Sequence, residues 1–139
     1  MVFETTGAAV AFLLARVLLG GMLAFTGFNH FMQTEQMTGY ADMKGVPAPK
    51  LSVLLSGGLL VFGGLSVILG FYPVVGAGAL AVFLLVTTPK MHDFWNAPAD
   101  QQQSEMTAFL KNVGLLGGVL LLLALGGVTW PYAVGVGLF

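Results

Sequence analysis

The chain has 139 residues, of which 57% are hydrophobic and only 8% charged, and its mean hydropathy is +0.90. A soluble domain carries about 25% charged residues, so this composition excludes a soluble globular enzyme and describes a chain dissolved in a lipid bilayer. Net charge is −1 with five Lys and Arg and no cysteine, which leaves no basic surface for nucleic acid, no disulfide and no thiolate nucleophile or metal ligand.

The opening residues, MVFETTG, lack a positive segment and a cleavage pattern, so the first apolar stretch is expected to be retained, with Thr5 or Thr6 as its N-cap. Span 1 is expected over about residues 7–32, since a helix needs roughly 20 apolar residues to cross ~30 Å of hydrocarbon. Arg16 lies inside it. A lipid-facing arginine near a span's centre costs ~2.5–3.5 kcal/mol on insertion scales, which implies a bundle to receive it. Arg16, Gly20, Leu23, Gly27 and His30 recur at spacings of four and three, so they share a helix face, predicted to be the buried one. Arg16 and His30 are separated along that face by ~21 Å of helical rise.

Residues 33–50, QTEQMTGYADMKGVPAPK, form a polar connection. Thr34-Glu35 resembles a helix start, and Gly45 with Pro47 a stop. The segment is therefore either a loop or a short amphipathic helix offering Met37, Tyr40 and Ala41 to the membrane surface. Pro47 and Pro49 are expected to hold GVPAPK extended. The following thirty-nine residues, Leu51 to Pro89, carry no charge and are too many for one crossing. Gly70-Phe71-Tyr72-Pro73 divides them into a hairpin of span 2, about 51–71, and span 3, about 74–91. Pro89 is expected to kink or end span 3, Trp95 to anchor at the interface, and Asn96 or Ser104 to cap span 4, about 105–127. The final YAVGVGLF is too short to cross and is expected to lie along the interface or on the bundle.

These elements predict an all-α, membrane-embedded four-helix bundle forming one domain over residues 1–139: a multi-pass protein of the cell membrane whose first partner is the lipid bilayer. Counting crossings brings Asn29 and His30, then Lys90, His92 and Asp93, then Lys111 and Asn112, to one side. Lys44 and Lys50 join them, so the positive-inside rule places both polar connections in the cytoplasm and the termini outside.

Each candidate residue has a functional and a structural reading. Arg16, with a fixed fork of five donors, suits an anionic headgroup, a quinone carbonyl or an acidic partner; structurally it snorkels or bonds backbone carbonyls. His30 can relay protons or bond a quinone, or simply cap span 1. His92-Asp93 beside Trp95 is explained by interface anchoring. Adjacent residues converge poorly on an ion, and two histidines in the chain make a poor ligand set, so no metal is expected. Lys111 and Asn112 close a pocket or snorkel. A transport path past Arg16 would require a homo-oligomer of these short spans.

Arg16-Val17-Leu18-Leu19-Gly20, Gly27-Phe28-Asn29-His30-Phe31, Lys44-Gly45-Val46-Pro47-Ala48-Pro49, Gly57-Gly58 through Gly63-Gly64, His92-Asp93-Phe94-Trp95 and Phe109-Leu110-Lys111-Asn112-Val113 occur in this order. Together, over about residues 10–127, they resemble the DoxX family. The resemblance implies a four-helix membrane protein in the group that includes the DoxD subunit of thiosulfate:quinone oxidoreductase. It also implies an oxidoreductase role, often as a membrane partner of redox proteins; the cofactor is left open, a non-covalently bound quinone held between helices with its carbonyls met by Arg16, His30 or Lys111 being the first candidate. Relatives often carry a glutamate in the second span ahead of the Gly-Gly pair; Leu59, Leu60, Val61 and Phe62 here are apolar. The family residues left to form a site are Arg16, His92, Asp93, Trp95, Lys111 and Asn112. The readings that follow are a quinone-linked electron-transfer component or a non-enzymatic anchor of a redox or envelope complex.

Overall fold

The structure, a computed structural model, describes residues 2–137. Its helices are α1 (Thr6–Met32), α2 (Thr34–Met43), α3 (Pro49–Leu69), α4 (Pro73–Met91) and α5 (Gln102–Ala124), with a 3-10 turn at Phe94–Asn96. Four of the helices, all but α2, are long and apolar enough to cross a membrane. The outward side chains are those of a lipid-facing surface: Leu18 is 72% exposed, Val86 66%, Phe25 63% and Leu121 62%. So continuous an apolar exterior exceeds what a soluble monomer presents.

Helix ends follow local chemistry. The Thr5 hydroxyl accepts from the Ala8 N–H at 3.1 Å, capping α1 as expected. Gly70, at φ 69°, ends α3, and Pro73 opens α4. Two details depart from the sequence reading. Ala48, expected to be extended, is left-handed at φ 43°, because the chain must reverse between α2 and α3 within a few residues; its carbonyl accepts from Ser52 N–H at 2.9 Å. No side chain caps α5. The chain turns instead on the Pro98 carbonyl, which accepts from Gln101 and Gln102 N–H at 2.8 and 3.0 Å, and the helix begins at Gln102, ahead of Ser104.

Packing runs α1 on α3, α3 on α4, α4 on α5, while α1 and α5 approach less closely. The α1–α3 seam is made of glycine: a Cβ on Gly20 would lie 2.6 Å from the Gly64 carbonyl oxygen, and one on Gly27 2.7 Å from that of Gly57. Backbones this close gain dispersion contacts, the main adhesive between helices in lipid. The expected face of α1 is the buried one, with Arg16, Gly20, Leu23, Gly27 and His30 all turned inward. Helix α2 does form, but its Ala41 is 4% exposed and packs inward, so this helix roofs the bundle rather than presenting Ala41 to the membrane. After α5 the chain folds back. Val134 N–H donates to Leu69 O at 2.7 Å and Tyr72 N–H to Val136 O at 2.6 Å, fastening the C-terminal segment across the α3–α4 turn. The closing Leu138 and Phe139 of YAVGVGLF lie outside the described residues.

Candidate functional site

Arg16 is fully buried. Its position on α1 brings it to the C-terminal end of α3, where an α-helix leaves its last carbonyls without intrahelical donors. Phe71 N–H, the regular donor for Val67 O, goes to Ser66 O, Tyr72 N–H goes to Val136 O, and Pro73 has no N–H. The guanidinium fills the gap. Nε donates to Val67 O at 3.0 Å and Nη2 to Ile68 O at 2.6 Å, while Val134 N–H serves Leu69 O. On its other edge, Nη1 donates to Pro131 O at 2.7 Å and Nη2 to Tyr132 O at 3.2 Å. Its carbon lies 5.4 Å from the Phe12 ring centre and 5.2 Å from that of Trp130, so aromatic faces add a cation–π contribution. The negative end of the α3 dipole provides the counter-charge. Arg16 is thus a C-cap supplied from a neighbouring helix and the clasp that holds the C-terminal segment.

The other end holds the remaining candidates. His30 is 6% exposed, and its Nδ1 lies 3.0 Å from both Val53 O and Ser56 Oγ. Ser56 Oγ donates to Val53 O at 3.0 Å, so Nδ1 carries the hydrogen and donates into this pair. Nε2 is then an acceptor with no partner among the described residues. The imidazole lies 6.2 Å from the Phe83 ring. Asp93 Oδ1 meets Lys44 Nζ at 2.8 Å and His92 Nδ1 meets Glu105 Oε2 at 3.3 Å, so loop side chains pair between elements distant in sequence. The hydrogen bond to Asp93 raises the Lys44 ammonium above its ordinary pKa. Trp95 is exposed and stands edge-on to Phe94 and Phe109, at 5.2 and 5.9 Å. On α5, Lys111 is exposed and Asn112 half-buried.

His92, Asp93 and Trp95 join Lys44, Glu105 and Phe109 in a polar and aromatic rim at the end of the bundle where His30 turns into α3, and Arg16 stands apart at the opposite end. Ser56 and Glu105 were invisible as partners because 26 and 13 residues separate them from His30 and His92. The Lys44–Asp93 pair is part-exposed, so its weight is small. A folded pKa raised at Lys44 means a contribution complete below the ordinary lysine range and lost as pH rises through the raised value. Asp93→Asn should lower thermal stability slightly in low salt, and adding salt should erase most of the difference.

Two open clefts flank the C-terminal segment. One, of about 340 Å³, is lined by Val2, Phe3, Thr129 and Pro131, the other, of about 190 Å³, by Pro73, Trp130 and Ala133; neither presents a titratable side chain. Among the described residues no three His, Asp or Glu side chains gather as a metal site.

A model of the DoxX family matches residues 11–93, more than half of the chain. The chain belongs to the DoxX family. No curated protein and no solved structure matches it at a significant level. This DoxX protein is an integral, multi-pass membrane protein. The matched stretch holds most of α1 and all of α2 to α4 with Arg16, His30, His92 and Asp93, whereas Trp95, Lys111 and Asn112 lie beyond it.

Proposed function

We propose that this DoxX protein is a non-enzymatic membrane partner of a redox or envelope complex, docking it through the rim built by α2, the 92–101 connection and the start of α5. The observation that carries the reading is the saturation of Arg16. Four of the five N–H donors of the buried guanidinium are engaged by backbone carbonyls, which leaves little to polarise a substrate. The fit of a quinone ring beside Arg16 is poor, since Phe12 and Trp130 flank the guanidinium and the α1–α3 backbones touch at Gly20 and Gly64. The rim, by contrast, combines exposed Trp95 with the paired charges Lys44–Asp93 and His92–Glu105, a polar and aromatic surface of the kind partners use.

A second reading, electron transfer to quinone, is favoured by one observation, the unengaged Nε2 of His30. That nitrogen can accept a hydrogen bond from the hydroxyl of the reduced quinol, whereas a quinone carbonyl, itself an acceptor, has no hydrogen to give it. Extraction in mild detergent followed by mass analysis of bound proteins, lipids and quinones separates the two. A stoichiometric protein partner that Trp95→Ala releases is the expected result. A lone chain that retains a quinone, and loses it in His30→Ala, would replace the first reading with the second.

A further inference from the structure

Threonine hydroxyls inside helices ordinarily donate to the carbonyl four residues back. Thr26, Thr34 and Thr107 do so here, at 3.0, 2.8 and 2.9 Å. Thr38 and Thr88 do not: the Oγ1 of each is fully buried with no partner among the described residues, and Thr88 as a whole is 4% exposed. Each such hydroxyl carries an uncompensated desolvation cost.

Both belong to the same end of the bundle. The Tyr40 hydroxyl reaches the Met91 carbonyl at 3.5 Å and Lys44, just past α2, pairs with Asp93, just past α4, so long side chains link the end of α2 to the end of α4 while α2 itself packs on α3. Thr38 is one turn from the buried Ala41 and shares its inward face; Thr88 is one turn before Met91. The Thr34 hydroxyl ties the start of α2 to the His30 carbonyl, which adds the His30 Nε2 acceptor to this end.

We propose that Thr38 and Thr88 form a binding site beneath α2 for a hydroxyl-bearing guest, whose oxygen accepts from one threonine and donates to the other. Water and the alcohol headgroup of a lipid share this chemistry. The site is independent of the docking reading.

Valine has the shape of threonine without its hydroxyl, so it decides the sign. Thr38→Val, Thr88→Val, the double variant and Thr88→Ser are compared with the parent chain by thermal unfolding in detergent, with mass analysis of extracted lipids. Occupied hydroxyls predict that each valine lowers the midpoint by about 3–6 °C, that the double variant loses less than the sum, and that Thr88→Ser stays near the parent. A lipid alcohol lost from the double variant identifies the headgroup, and unchanged lipids identify water. Valine variants as stable as the parent or more so would overturn the site. Strictly additive losses would overturn the shared guest.

Discussion

Replacing Arg16 by alanine should cost on the order of 3–5 kcal/mol and free the C-terminal segment. The guanidinium makes four hydrogen bonds to buried or part-buried carbonyls. Removing it strands Val67 O and Ile68 O at a helix end, where an unsatisfied group bears its whole desolvation cost. Lysine is a poor substitute. Its single ammonium has three donors at one point and cannot span the Val67–Ile68 and Pro131–Tyr132 edges together, so Arg16→Lys should recover less than half of the loss. Unfolding in detergent gives the stability, and limited proteolysis after residue 126 gives the state of the segment. An Arg16→Ala protein with parental stability and a protected C-terminal segment would refute the clasp.

Gly64→Val should separate α1 from α3 and abolish a stably folded monomer. A Cβ on Gly64 would overlap the Gly20 carbonyl oxygen and stand 2.8 Å from Ala24 Cβ, and most of that obstruction is backbone, which cannot rotate away. Even Gly64→Ala should cost about 1–3 kcal/mol by overpacking. The contrast is Gly58, six residues earlier on the same helix, where a Cβ meets nothing within 4 Å. Gly58→Ala should be neutral or stabilising by up to about 1 kcal/mol, since alanine is the better helix former. Equal effects at Gly58 and Gly64 would show that backbone contact is not what joins the two helices.

The residues that made the bundle legible are those whose signal is local or periodic. An uninterrupted apolar run too long for one crossing, broken by Gly70 and Pro73, has only one reading as a hairpin, because each half must satisfy its backbone internally within lipid. The three-and-four spacing from Arg16 to His30 marked the buried face of α1 in the same way. Family membership was legible for a related reason, since the motifs that carry it lie in order along these helices and the match covers residues 11–93.

The partners of the polar groups were not legible. A buried arginine demands acceptors but does not say which; Val67, Ile68, Pro131 and Tyr132 were chosen by the way the C-terminal segment folds back over the end of α3. Backbone carbonyls carry no side-chain signature, so no inspection of residue types could have named them. The sequence by itself determined the number of crossings, the inward face of α1 and the need to shelter a cation, all consequences of apolar periodicity in a medium that cannot hydrogen-bond. Only the tertiary structure decided that Arg16 clasps the C-terminal segment to the end of α3 and that Asp93 pairs with Lys44 and His92 with Glu105, because antiparallel helix register sets those distances and sequence separation does not.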